Sequence, residues 1–170
     1  TGREKKLSDK FISDEFFYGY IYFKNLYSNT TLIELDESLK NSTFSSKLIF
    51  IFDRILNKMS NLPFYMNEVL TIDNFKKITK SKNLILTNDR IGISLLPVLM
   101  YLKIFKKINV IVIVMGLLNN KQGGKLVNFI QRVFIKLFLT LCDKFVFLGK
   151  GEFDVASKMY SKNKKKFKFI

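Results

Sequence analysis

Asp14 and Glu15 stand side by side just ahead of an aromatic-rich segment. Adjacent carboxylates can accept hydrogen bonds from substrate hydroxyls or serve as a base. The same pair, at a helix start, equally serves as a cap and a counter-charge to the helix dipole. Asn88 and Asp89 come at the carboxyl end of a short apolar run, Asn83-Leu84-Ile85-Leu86-Thr87-Asn88. In a parallel sheet that end faces ligand, although either residue can instead cap the helix that follows. Gly116 closes the strongest apolar run of the chain, Ile108 to Met115. The missing side chain there permits a chain reversal or a close approach of ligand. Gly2, in a polar N-terminal stretch, offers the same freedom to a phosphate or marks an ordinary loop. Gly149-Lys150-Gly151-Glu152 opens a further helix, whose free N–H groups can meet an anion while Glu152 offsets the dipole.

A second kind of chemistry lies in the basic residues. Lys121, Lys125, Arg132 and Lys136 fall in a segment without acids from Lys121 to Leu141. Lys125, Arg132 and Lys136 are spaced to share one helical face. A basic, aromatic-rich amphipathic helix can bind an anionic membrane, or simply present a solvated face. Across the whole chain the formal net charge is +15. That balance favours anionic partners, with nucleic acid the less favoured. The abundance of Lys, Asn, Ile and Phe is also what AT-rich coding produces.

Several chemistries are excluded. The chain has no His and a single cysteine, Cys142. A His/Cys zinc site, a Ser-His or Cys-His nucleophile and an intrachain disulfide therefore cannot form within it. Neither a Walker loop nor a GxGxxG fingerprint occurs. No uncharged apolar run reaches the ~18 residues of a membrane span; the closest, Ile91 to Leu102, is too short and is interrupted by Gly92 and Pro97. No metal site and no resident cofactor are expected, and a single cysteine fits a reduced, cytoplasmic setting.

These residues need elements to hold them. The β-branched run 108–115 suits a strand buried on both faces, and Lys144 to Leu148 suits a second. Between them Leu126, Val127, Ile130, Val133, Phe134, Leu137, Phe138 and Leu141 recur at helical spacing, as a stripe expected to pack on the sheet. Helices are also expected from Ser13 to about Tyr27, Phe44 to Met59, Thr71 to Lys80, Asp89 to about Phe105 with Pro97 as a kink, and Gly151 to Asn163. Thr30 to Asp36, Asn83 to Asn88 and Phe167 to Ile170 read as further strands, and Lys162 to Lys166 as a solvated loop. Such alternation predicts an α/β domain, a doubly wound, Rossmann-like parallel sheet with right-handed crossovers. The chain of 170 residues suits one domain. Starting without Met and stopping on a strand-like segment, it reads as truncated at both ends.

The layout resembles the N-terminal half of GT-B-fold glycosyltransferases, particularly the glycogen-synthase-like family 4. Asp143-Lys-Phe-Val-Phe-Leu-Gly149 with Glu152 is similar to that family's "A-D-x-V-I-x-x-S-x-x-E". Lys164-Lys-Lys-Phe-Lys-Phe-Ile170 resembles the strand leading into its interdomain linker. Thr1-Gly2-Arg3 through Phe16-Phe17-Tyr18-Gly19 resembles the Gly-containing loop after its first strand. The resemblance implies the acceptor-side domain of an enzyme that moves a sugar from a nucleotide-sugar to a glycan or lipid-linked acceptor in envelope or polysaccharide synthesis. Gly2 and Arg3 would then lie near the donor phosphate. Asp14, Glu15, Asn88, Asp89 and Gly116 would line the acceptor side. The donor-binding domain, missing here, would act in cis, and the isolated chain would be inactive, cytoplasmic or peripheral on the inner membrane face. Two departures stand out: the family's His near the reaction centre has no counterpart, and Gly149 replaces a Ser. The alternative reading is a non-catalytic basic α/β domain that binds an anionic membrane surface or nucleic acid.

Overall fold

The computed structural model describes residues 20–34, 44–116 and 124–170. Gly2, Arg3, Asp14, Glu15 and Lys121 lie outside these residues. Among the described residues the helices are α1 (Tyr20–Leu26), α2 (Phe44–Ser60), α3 (Met66–Val69), α4 (Ile72–Lys80), α5 (Asp89–Ser94), α6 (Leu96–Phe105), α7 (Lys125–Leu141) and α8 (Lys150–Met159). The strands are β1 (Asn83–Leu86), β2 (Asn109–Val114), β3 (Lys144–Phe147) and β4 (Phe167–Phe169). A 3-10 turn over Ser161–Lys166 leads into β4. No described helix is long and apolar enough to cross a membrane.

The sheet is four-stranded and parallel throughout, in the order β1-β2-β3-β4. The βα alternation expected from the sequence is therefore present. A doubly wound sheet also reverses its strand order, and no reversal occurs among the described strands. An order that advances in one direction, linked by right-handed crossovers, sends its helices to one face. Burial agrees with that geometry. Leu84, Leu86, Val110, Val112, Val114, Phe145 and Phe147 point into the core, whereas Ile85, on the opposite face, is exposed and Ile111, Ile113 and Val146 are half-buried.

The core under the helices is aromatic. Phe138 of α7 meets Phe145 edge-on at 5.4 Å, and Phe167 packs against both Phe145 and Phe147. Such edge-to-face pairs contribute about 0.5–1.5 kcal/mol each beyond area burial. Gly92 lets α5 and α7 approach: a Cβ there would sit 2.3 Å from Cζ of Phe138. Lys103 at the end of α6 pairs with Asp143 at 2.7 Å, and the same Asp143 oxygen accepts the Val110 N–H at 2.7 Å. That shared acceptor fixes α6 and the start of β3 against β2.

Several expectations are corrected. Pro97 does not kink one long helix. The chain breaks at Leu95, and Pro97 lies in the first turn of α6, where its missing N–H costs nothing. Residues 30–34 form no strand. Thr30 instead donates its hydroxyl to the Tyr27 carbonyl at 2.8 Å, finishing α1. Residues 35 and 36 of that expected strand lie outside the described residues. The Lys162–Lys166 cluster is not merely solvated, because Lys166 donates to the carbonyls of Leu139, Thr140 and Cys142. It thereby satisfies the open carbonyl end of α7, where a cation also meets the dipole favourably. The α7 stripe is rotated as well: Gln131, Ile135, Phe138 and Leu139 are buried, while Leu126 and Val133 are exposed.

Candidate functional site

The carboxyl ends of β1, β2 and β3 converge on one small region. Beyond β1, Asn88 caps α5 by accepting the Arg90 N–H at 2.8 Å. Asp89, in the first turn of α5, is fully buried, and its Oδ2 accepts the Met115 N–H at 3.0 Å. A carboxylate suits that place twice over, facing a helix N-terminus and a backbone donor. The end of β1 is thus tied to the end of β2.

Gly116 follows with φ of +98°. That left-handed region strains any residue with a Cβ. Its N–H also favours the ionised form of Glu152, which stands in the first turn of α8 beyond β3. Oε1 of Glu152 is buried without a hydrogen-bond partner and lies 3.6 Å from where a Gly116 Cβ would be. Burial, first, and the charge of Asp89, second, hold the Glu152 carboxyl above its ordinary range. An acid so placed keeps a proton more readily than a solvated one and can exchange it with a hydroxyl.

A cleft of about 400 Å³ opens beside this edge, lined by Asn57, Asn61, Pro63, Arg90, Met115 and Gly116. Its far wall comes from α2 and the segment after it. Asn57 grips Phe64 from both ends of its amide, accepting the backbone N–H and donating to the carbonyl at 2.9 Å. Asp53, buried in α2, accepts the Asn67 N–H at 2.9 Å, and burial pushes its carboxyl above the ordinary value. Ser94 joins the wall to α5 by accepting the Tyr65 N–H at 3.1 Å. Tyr65 is half-buried, and burial pushes its phenol up to about 12.

No family model matches the chain, and neither does any curated protein or solved structure.

The structure brings together four of the residues singled out from the sequence, Asn88, Asp89, Gly116 and Glu152, and gives them different parts. Gly116 lines the cleft and is exposed. Asn88 is a helix cap and Asp89 a buried brace, so these two shape the edge. Lys125, Arg132 and Lys136 are exposed on α7, away from the cleft lining. Arg90 was missed, although it directly follows Asp89 at the strand-end position that drew attention to its neighbours. Asn57, Asn61 and Tyr65 carry no chemical motif and reach the edge through the path of the chain from α2. Among the described residues no three His, Cys, Asp or Glu side chains cluster to hold a metal. Cys142 is buried, and burial pushes its thiol up to about 12, which removes it as a nucleophile.

Proposed function

We propose that this chain is the acceptor-side domain of a GT-B-type glycosyltransferase, holding a hydroxyl-bearing glycan or lipid-linked acceptor at the carboxyl edge of its parallel sheet. The observation that carries the reading is the convergence of Arg90, Gly116 and Glu152 on that edge, with Asp89 bracing the backbone behind them. Arg90 supplies a fixed cation for a phosphate or carboxylate on the bound molecule. Glu152 supplies a carboxyl able to take or return the proton of an acceptor hydroxyl. Gly116 leaves room for a sugar ring to approach the backbone.

In this reading the remaining strands of a doubly wound sheet lie beyond β1. Gly2 and Arg3 serve the phosphates of a nucleotide-sugar donor, and Asp14 and Glu15 serve the acceptor. The donor itself is held mainly by a second domain in cis, and catalysis comes from positioning and from stabilising the leaving phosphate.

Sugar transfer is the test. With nucleotide-sugars and lipid-linked acceptors the 170-residue chain alone is expected to transfer nothing, whereas the full-length protein does. Arg90→Ala in the full-length protein lowers kcat/KM at least about tenfold. Transfer by this chain alone, or full activity of the Arg90 variant, contradicts the reading.

A further inference from the structure

Helix α2 is built the wrong way round for a helix of a soluble core. Its large apolar residues Leu48, Phe52, Ile55 and Met59 follow one another at three- and four-residue steps, with Ile51 between the turns, so they form one stripe. That stripe faces outward, each member being about half exposed, with Ile51 at 52% and Ile55 at 50%. The inward side places Leu56 against the core and is otherwise largely polar. Asp53, Asn57 and Ser60 lie there, and the first two are hydrogen-bonded to Asn67 and Phe64. Those bonds fix the rotation of the helix, so the stripe cannot roll into the core without leaving buried polar groups unpaired.

The charges on the outward side have one sign. Lys47, Arg54 and Lys58 are exposed and share a face next to the stripe. A groove of about 350 Å³ combines the two chemistries, lined by Ile51, Ile55, Arg54 and Lys58. Helix α7 packs on α2 and repeats the arrangement: Leu126 and Phe129 are 71% and 65% exposed beside Lys125, Arg132 and Lys136. The two helices contain a single acid, Asp53, and it is buried.

We infer that α2 lies flat on an anionic lipid surface, its aliphatic stripe at the acyl boundary and Lys47, Arg54 and Lys58 among the headgroups. Charge complementarity selects an anionic partner. The stripe is aliphatic but for Phe52, which selects hydrocarbon over nucleic acid, whose recognition relies on repeated aromatic stacking and hydrogen-bond donors. A second copy meeting the same face would bring like charges together. At 17 residues the helix is ~25 Å long, enough to rest in the interface plane. The basic residues of α7 alone were suggestive from sequence. It is α2 that adds the apolar depth, and the inference stands whether or not the chain serves sugar transfer.

Vesicle flotation tests it, with phosphatidylcholine alone against phosphatidylcholine mixed with phosphatidylglycerol, at rising salt. Binding is expected to the anionic vesicles only and to weaken with salt. The Ile51→Asp/Ile55→Asp variant should bind at least about tenfold more weakly while keeping its circular dichroism. Because the chain lacks Trp, Phe52→Trp provides a single reporter in the otherwise unchanged protein. Its emission should shift to the blue with anionic vesicles and be quenched by brominated acyl chains. Equal binding to neutral vesicles, an unshifted emission from the Phe52→Trp reporter, undiminished binding by the folded double variant, or binding to duplex nucleic acid but not to vesicles would each overturn the inference.

Discussion

The carboxyl edge of the sheet and the outer sides of α2 and α7 break opposite rules of protein construction. At the edge, polar groups are drawn inward: Asp89 is fully buried, and Glu152 holds one oxygen out of water. On the helices, apolar groups are pushed outward, beside cations with no exposed acid near them in sequence. Burying a carboxyl costs solvation, and exposing a large aliphatic side chain forgoes roughly 1.5–3 kcal/mol of burial. A fold tolerates such departures at places that serve something other than stability. In the proposed readings the difference between them separates two tasks. The edge has the means to position a small polar molecule and move a proton, whereas the helices have the means to rest on an extended anionic surface.

The sharpest way to break this contrast uses one residue type on one helix. Phe138 and Phe129 both belong to α7, the first fully buried and the second mostly exposed. Phe138→Ala should lower unfolding free energy by about 3–5 kcal/mol, since it opens a cavity between Phe145 and Gly92. Phe129→Ala should change it by no more than about 0.5 kcal/mol. Urea denaturation of both variants measures the difference. Similar losses would mean that the outer side of α7 is part of the packed core after all.

A smaller effect, of defined sign, is expected at the edge. Glu152 titrates above its ordinary 4.5 in the folded protein. The folded state therefore holds the proton more tightly than the unfolded one. Its contribution to stability falls as pH rises from the unfolded value through the raised folded one. Glu152→Gln removes that dependence. Thermal melting should show the variant to be the more stable protein above this window and to gain nothing below it. A variant destabilised at neutral pH would mean that the ionised carboxylate holds the edge together.

The four strands of the sheet and most helices were legible in the sequence because each rests on local pattern, whereas the strand expected from Thr30 is absent over residues 30–34 and the helix expected over Asp89–Phe105 breaks at Leu95. The β-branched run of β2 and the helical spacing in α7 need no tertiary information. The helix expected from Thr71 to Lys80 forms as α4, with Thr71 as its cap, accepting the Asn74 N–H at 2.9 Å. The rotation of the helices was not legible. Apolar residues sit nearly all round α7, so periodicity cannot choose between the side with Leu126 and the side with Ile135. On α2 the choice is made by Asp53 and Asn57 reaching backbone groups of the following segment, contacts that no spacing rule reveals. The strand-end rule placed Asn88, Asp89 and Gly116 at the carboxyl edge of the sheet, where the structure has them. It could not tell a brace from a cleft-lining residue, because that depends on which backbone N–H lies opposite. The short helix α3 was missed altogether, since it is held by Asp53 rather than by a pattern of its own.

One measurement bears most directly on the edge as the ligand site: amide chemical-shift mapping of the chain during titration with acceptor oligosaccharides and phosphorylated sugars. The expected result is a perturbed set confined to Asn88, Arg90, Met115, Gly116, Glu152 and their neighbours, lost in Arg90→Ala. Perturbations that fall instead on α2 and α7, or that persist unchanged in Arg90→Ala, would contradict it.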